Sequence, residues 1–251
     1  MEPYATTAEV WVAALVFART ASLIMLIPGV GDGYVPVRVR LCAGLLITFC
    51  MMPIAAPSLP PVPDTLGAMA GDVIRETLVG LMIGGILRLI VGSLTTCGEL
   101  VSLQTSLSFA QTANPAQAQP TTSVSTFLML VGVTLIFDTG LHQMFIAAIA
   151  RSYTLFPATK ALPVHDAGLL AIQTVGSSFA LGVQLAAPVI VFSLVFNVAV
   201  GLIGRAMPQF QVFFVATPLG LLLGLSLFAL SLGGIGLAWV RAFGALLQSF
   251  A

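Results

Sequence analysis

Long apolar runs alternate with short polar turns over the whole chain, and this alternation predicts membrane-spanning helices. A helix needs about 20 consecutive apolar residues to cross a bilayer. Prolines and glycines mark the breaks between runs, because both residue types interrupt helices. We therefore predict an all-α integral membrane protein with about six long, kinked hydrophobic helices. The predicted segments are roughly Val10–Ile27, Leu41–Ala56, Leu66–Ser108, Val124–Ala150, Leu169–Gly204 and Val212–Val240.

Two of these segments are much longer than a single crossing requires. We expect Leu66–Ser108 to be either one long tilted helix or a helix broken near Gly92–Gly98. Leu169–Gly204 contains Pro188, which predicts a kink. If all six segments crossed in alternation, the basic residues of the polar turns would divide equally between the two sides, so the positive-inside rule gives no orientation. The over-long segments favour the interpretation that some segments do not cross a bilayer in the ordinary way.

The composition agrees with a membrane location. Of the 251 residues, 58% are hydrophobic and 7% are charged, whereas soluble domains carry about 25% charged residues. The net charge is zero and the only lysine is Lys160, so the chain offers no basic surface for nucleic acid. Residues 1–251 form a single membrane-embedded domain in this interpretation. Glu2 and Glu9 stand where a signal peptide has basic residues, and Arg19 interrupts the first apolar run, so we predict that this segment is a permanent helix.

The sequence carries no pattern of catalytic residues. It lacks a nucleophile–base pair, a cluster of metal ligands and a phosphate-binding loop, and its three cysteines are scattered in apolar sequence. We therefore expect a protein that is not an enzyme and that holds no cofactor or metal. The 24 glycines instead favour close packing of helices, since small residues let two backbones approach. This favours a subunit of an assembly.

Ionisable side chains within the third apolar segment need an explanation, because charge is costly at membrane depth. Asp72, Arg75 and Glu76 are spaced so that they share one helix face. Small and ionisable residues then recur at every fourth position, at Glu76, Gly80, Gly84 and Arg88. The stripe is either part of an ion pathway or a packing seam whose charges pair within or between subunits. We favour the seam, because the sequence offers no second acidic helix to face the stripe.

Asp138 and His142 form a second candidate pair, since they are also four residues apart and histidine titrates near physiological pH. They could serve as a proton relay, but we favour a structural pair at a helix end. Arg19 and Glu99 are single charges in apolar sequence, and the sequence shows no partner for either.

A polar segment without charge separates the third and fourth apolar runs. No charged residue lies between Leu100 and Phe137, and the segment is rich in amides, hydroxyls and small residues. Such side chains can satisfy neighbouring backbone groups. Irregular backbone at membrane depth is tolerated only within protein or beside a wet cavity. The composition is equally compatible with an exterior loop and with a loop held in a polar, protein-walled space.

Five motifs follow one another along the chain. They are "FARTASLIMLIPGVGDGYVPVRVRL" (Phe17–Leu41), "RETLVGLMIG" (Arg75–Gly84), "GELVSLQTSLSFAQTANPAQAQPT" (Gly98–Thr121), "DTGLHQMFIAAIARSYTLFP" (Asp138–Pro157) and "AAPVIVFSLVFNVAVGLIGRAMPQFQVFFVATPLGLLLGL" (Ala186–Leu225). In this order, over essentially the whole chain, they resemble the FliR family of flagellar export-gate proteins and its counterparts in virulence type III secretion. The most specific element is Gly-Leu-x-x-Arg-x-x-Pro-Gln, which includes Arg205 and Pro208.

This resemblance implies both a fold and a function. It implies stacked helical hairpins within a multi-subunit helical ring, with a FliP-like part at 1–165 and a FliQ-like part at 166–251. The ring would contain FliP and FliQ, contact FlhB and form the entry pore for unfolded flagellar export substrates, in the bacterial inner membrane at the flagellar basal body. The central loop would plug the closed pore. The implied plug residues are Gln104, Phe109, Gln111, Asn114, Pro115, Gln117, Gln119 and Pro120.

Other functions remain open at this point. The family often has an acidic residue before the proline where this chain has Asn114–Pro115, so no charge-based role carries over to that position. The alternative function is a small ion- or proton-coupled multi-pass transporter that uses ionisable residues within its helices. A purely structural membrane scaffold is a third possibility. The residues of the transporter hypothesis are Glu76, Arg88, Asp138 and His142.

Overall fold

The predicted all-helical membrane fold is confirmed by a computed structural model, which describes residues 6–108, 121–158, 164–207, 209 and 211–250. Of the described residues, 85% are helical and none lies in a strand. A short 3-10 turn, Ala56–Ser58, follows the second helix. The helices are α1 (Thr7–Ile24), α2 (Val37–Ala55), α3 (Leu66–Gln104), α4 (Ser123–Asp138), α5 (Leu141–Leu155), α6 (Val164–Ala206) and α7 (Val212–Phe250).

The lengths of the helices agree with a membrane location. Among the described residues, five helices are long and apolar enough to cross a membrane, and α4 with α5 would make a sixth as one bent span. The 39 residues of α3 form one helix without a break near Gly92–Gly98. At about 1.5 Å per residue, α3 is longer than the roughly 30 Å hydrocarbon core of a bilayer. The α6 helix runs through Pro188 for 43 residues.

The predicted segment Val124–Ala150 consists of two helices, because the chain bends by 75° between α4 and α5. Gly140 lies at the bend in the left-handed backbone conformation, with φ 75°. Glycine adopts this conformation without the steric cost that a Cβ brings. The apolar composition continues through the bend, so hydrophobicity alone did not reveal it.

The first of two compact units comprises residues 1–90, 137–175 and 244–251. In this unit α2 packs against α1 and α5. The α1 and α3 backbones approach closely at Gly80, where a Cβ would collide with the Ser22 hydroxyl and the Arg19 carbonyl oxygen. Buried apolar side chains form the core of this unit. They include Leu15, Leu23, Ile83, Leu87 and Ile149.

The second compact unit comprises residues 91–136 and 176–243. The Trp239 and Phe243 rings, both buried, stack with their centroids 5.0 Å apart. Gly132 of α4 leaves the space that the Leu94 and Trp239 side chains occupy. A second close approach occurs at Gly98 of α3, where a Cβ would collide with the backbone of Ser125 at the start of α4. The end of α3 and the start of α4 are therefore held against each other.

Candidate functional site

The candidate site is the base of the charge-free loop, formed by the last turns of α3 and the first turn of α4. Gln104 is the one implied plug residue within the described part of the chain. The other implied plug residues lie outside the described residues, namely Phe109, Gln111, Asn114, Pro115, Gln117, Gln119 and Pro120. The described residues that flank them form the base of the loop.

A chain of hydrogen bonds ties the end of α3 to α6. The Ser193 hydroxyl donates to Gln104 Oε1 at 2.8 Å, and Asn197 Nδ2 donates to the Ser193 hydroxyl at 3.2 Å. Directly after Gln104 the helix ends, and Ser106 takes the left-handed conformation with φ 62°. A residue with a Cβ adopts this conformation only when its surroundings hold it there. The Ser106 N–H donates to the Leu103 carbonyl oxygen at 3.2 Å.

These amides and hydroxyls line a pocket of about 80 Å³ in the second unit. Its wall also contains the stacked rings of Phe192 and Phe196, whose centroids lie 5.7 Å apart, and the side chain of Thr217. None of the described lining residues is charged. A pocket of this size and polarity has room for several water molecules, since one water needs about 10–15 Å³ of such space. The end of α3 thus meets a small, uncharged polar space.

The other end of the loop is tied to α3 by Glu99. Its Oε1 accepts from the backbone N–H of Thr122 at 2.9 Å and from the Ser125 hydroxyl at 2.8 Å. Thr122 and Ser125 are buried. The backbone N–H of Ser125 in turn donates to the Thr122 hydroxyl at 3.3 Å. A carboxylate of α3 thereby satisfies donors at the N-terminus of α4, where unpaired N–H groups need acceptors.

A separate buried ion pair joins α1, α3 and α5 in the first unit. Arg19 Nε and Nη2 donate to the two Glu76 carboxylate oxygens at 2.6 and 2.9 Å, and both residues are fully buried. The guanidinium also donates to the Ser152 hydroxyl at 3.2 Å and to the Phe156 carbonyl oxygen at 3.0 Å. It lies 4.1 Å from the centroid of the Tyr153 ring. Such a bidentate arrangement satisfies both the charge and the hydrogen-bonding groups of the pair.

The remaining members of the predicted stripe have separate surroundings. Arg75 donates to the Pro157 carbonyl oxygen at 2.9 Å, and Asp72 is half-buried on the first turns of α3. Gly84, like Gly80, lies against α1, where its missing Cβ leaves space for the Leu23 carbonyl oxygen. The stripe therefore faces α1 along the turns that follow Glu76.

Arg88 reaches the turn between α1 and α2, where Asp32 organises the backbone. Arg88 Nη2 lies 3.2 Å from Asp32 Oδ1. Asp32 Oδ2 accepts from the Gly29 N–H at 2.8 Å and from the Tyr34 hydroxyl at 3.0 Å. Partial burial and the adjacent Asp32 carboxylate raise the pKa of Tyr34 to about 12. The turn is thus held by one carboxylate that has both charged and neutral partners.

Comparison with known proteins places the chain in a family. The family described as "Bacterial export proteins, family 1" matches residues 10–246. The chain is 56% identical over 250 residues to "Flagellar biosynthetic protein FliR" of Caulobacter vibrioides, with 100% of each chain covered. It is 30% identical to FliR of Escherichia coli over 84% of this chain and 80% of that one. FliR of Aquifex aeolicus is 29% identical, over 87% and 84%.

The chain belongs to family 1 of the bacterial export proteins. The resemblance to the FliR family is therefore confirmed. Membership makes the chain an export component, and its long apolar helices place it in a membrane.

Four other predicted residues of this export protein are not part of the loop base. Asp138 is the last residue of α4 and His142 lies in α5, so the bend at Gly140 separates them. Their pairing at a helix end stays a prediction. The His142 ring lies 5.5 Å from the Phe137 ring, centroid to centroid. Arg205 is exposed near the end of α6, and Pro208 lies outside the described residues.

Sequence reasoning missed the partners of the buried charges in this export protein. It gave no partner for Arg19 or Glu99, and it did not single out Asp32 or Ser125. A signal did exist for Glu99, because Thr122 is followed three residues later by Ser125, an incomplete capping box that lacks its acidic member. Within the described residues, no group of three or more His, Cys, Asp or Glu side chains could hold a metal ion.

Proposed function

We propose that this chain is a pore-forming subunit of the flagellar type III protein export gate. In this proposal it assembles with FliP and FliQ, contacts FlhB and helps to form the entry channel for unfolded flagellar substrates. It acts without enzymatic chemistry, in the bacterial inner membrane at the flagellar basal body. The observation that carries the proposal is the 56% identity to a flagellar FliR protein over the full length of both chains.

Uncovered helix surfaces in the second unit support assembly with other subunits. Gly201 and Gly204 of α6 have no atom within 4 Å of the position that a Cβ would take, and neither have Gly233 and Gly234 of α7. Large apolar side chains such as Leu230 are exposed on the same helices. Glycines on an apolar helix surface permit close approach by a further helix. Neighbouring helices of FliP and FliQ would supply that contact.

The polar loop supports a role in closing the pore. Its residues carry no charge. It follows Gln104 of α3, which is bonded to Ser193 of α6, and its return end is bonded to Glu99 of α3. An uncharged segment can occupy a narrow protein-walled space without the cost of burying an ion. We infer that the loop plugs the closed channel and leaves its position when substrate passes.

Assembly is tested by purifying the chain from membranes in mild detergent and measuring the mass of what is recovered. The proposal expects a ring-sized complex that contains FliP and FliQ subunits. Recovery of a lone 26.1 kDa chain from cells that also express the partners would overturn it.

The plug is tested by deleting Gln111–Gln119 and measuring potassium permeability of vesicles that contain the assembled gate. We expect the deletion to make the gate leak, because the closed channel loses its obstruction. The matched control replaces the same residues with a glycine–serine segment of equal length. This variant loses the native sequence but keeps the length of the loop, so it shows which of the two closes the channel. A deletion complex that assembles and stays tight to potassium would contradict the plug.

A further inference from the structure

Glu99 occupies an unusual electrostatic position in the second unit. It is the only acidic residue in the sequence of that unit, whose other ionisable charges are Arg205 and Arg241. Both arginines are exposed, and Glu99 forms no salt bridge within the described residues. Its partners are instead the neutral donors of Thr122 and Ser125. Burying a carboxylate among apolar helices costs free energy. The hydrogen bonds to Thr122 and Ser125 must offset that cost.

The contacts of Glu99 complete a capping box across two helices. In an ordinary capping box the N-cap hydroxyl accepts from the third helical N–H, and an acidic side chain at that third position accepts from the N-cap N–H. α1 has this arrangement locally, with Thr6 and Glu9. α4 has the Thr122 hydroxyl and the Ser125 N–H in the same relation. Its third position is a serine, and the missing acidic acceptor comes from Glu99 of α3.

The close approach at Gly98 holds this cap in place. The Ser125 backbone lies so near Gly98 that no side chain could fit between them. The Ser125 hydroxyl also lies 3.1 Å from the Thr95 carbonyl oxygen, one turn earlier in α3. The start of α4 is therefore fixed in both distance and rotation against α3.

The same helix carries both ends of the charge-free loop. The chain leaves α3 at Gln104, which is held by Ser193, and returns to α3 at Glu99, which holds Thr122. At about 1.5 Å of rise per residue, the two attachment points lie roughly 7–8 Å apart along the α3 axis. The end of α3 thus forms a rigid base from which both ends of the loop start.

We propose that Glu99 is the positioning residue for the return end of the loop, because it supplies the α4 cap from α3. The proposal rests on the proposed plug function, since it assigns the residue that sets where the plug re-enters the helical framework. Loss of the carboxylate would release the first turn of α4 and with it the return end. Glutamine would preserve the function, because its amide oxygen can accept the same two hydrogen bonds.

The experiment compares Glu99→Ala and Glu99→Gln in the assembled gate by hydrogen–deuterium exchange of the first turn of α4 and by potassium permeability of vesicles. We expect Glu99→Ala to accelerate exchange of these amides about fivefold, the effect of losing an N-cap, and to make the vesicles leak. Glu99→Gln should match the wild type in both. The matched control is Glu9→Ala, which removes the corresponding acceptor from α1 and should change exchange in α1 alone.

Each outcome bears on the proposal. Unchanged α4 exchange in an assembled Glu99→Ala gate overturns it, as does a Glu99→Gln variant that behaves like Glu99→Ala, since the charge and not the cap would then matter. If the Glu99→Ala gate fails to assemble, the Ser125→Ala variant is measured in its place. This variant removes one hydrogen bond that Glu99 accepts and keeps the backbone contact at Gly98. Unchanged α4 exchange in Ser125→Ala would also overturn the proposal. Faster α4 exchange in a gate that stays tight supports the role of Glu99 and instead contradicts the plug.

Discussion

Glu76 and Glu99 lie on the same helix, α3, and both are surrounded by apolar sequence, yet they are held in opposite ways. Glu76 is fully buried and its charge is balanced by a bidentate arginine. Glu99 is half-buried and accepts from an amide and a hydroxyl without a cationic partner. The first arrangement joins three helices through a closed pair of charges. The second uses a hydrogen-bond acceptor to position the end of a loop.

This difference shows that an ionisable residue within a membrane helix can stabilise the fold in two ways. A buried ion pair costs desolvation that its attraction repays only with good geometry, and removal of one partner leaves the other charge uncompensated. A carboxylate that accepts from neutral donors depends mainly on its hydrogen-bonding oxygen. The two sites should therefore respond differently to the same substitution.

The largest effect is expected for Glu76→Gln. The substitution leaves the buried Arg19 guanidinium without its anion, so the free energy of unfolding should fall by about 3–5 kcal/mol. Denaturant titration of the purified chain in mild detergent measures this change. The control is the double variant Arg19→Gln with Glu76→Gln, which should cost less than the sum of the two single variants. Additive costs would show that the two charges do not interact and would break the comparison.

Gly98→Ala should have the next largest effect. The new Cβ would collide with the Ser125 backbone, which cannot rotate away as a side chain can. Overpacking of this kind costs about 1–3 kcal/mol of unfolding free energy. Gly85→Ala on the same helix is the matched control, because nothing lies within 4 Å of its Cβ position. That variant should gain about 0.5–1 kcal/mol, since alanine suits a helix interior better than glycine. Equal responses at the two positions would contradict the close contact.

Much of the fold could be predicted from the sequence, because helix length and apolar periodicity are local properties. The α3 and α6 helices were expected from apolar runs longer than a bilayer requires. The four-residue recurrence of Gly80 and Gly84 indicated a close-packed face, and both glycines lie against α1. The bend at Gly140 was missed, because apolar composition continues through it while the backbone conformation changes.

The partners within the candidate site could not be predicted in the same way. Arg19 and Glu76 are 57 residues apart in sequence, and Glu99 and Thr122 are 23 apart. Which helices meet depends on packing between elements, and single-sequence periodicity does not encode that choice. The family resemblance supplied a role for the loop but no partner for its base. The structure shows the partners of Glu99, and they identify it as the acceptor that caps the N-terminus of α4.

Glu99→Gln should have a small effect on stability, within about 1 kcal/mol of the wild type, because each accepted hydrogen bond persists in weaker neutral form. The same denaturant titration that measures Glu76→Gln provides the direct comparison. A loss as large as that of Glu76→Gln would mean that the Glu99 charge itself is required. The functional distinction between the two carboxylates would then fail.

The smallest effect concerns Asp32, a third carboxylate that combines both kinds of partner. Partial burial and, after it, the Asp32 charge raise the pKa of Tyr34, so the phenol of the folded protein stays neutral to about pH 12 instead of 10.0. A raised folded pKa contributes stability that is fully present below pH 10 and is lost as the pH rises towards 12. Asp32→Asn should move the Tyr34 titration back towards 10.0, because the amide carries no charge to oppose ionisation. Ultraviolet titration measures this against Tyr34→Phe as the blank. An unchanged midpoint would mean that burial alone raises the pKa, and that Asp32 acts on this turn only through its hydrogen bonds.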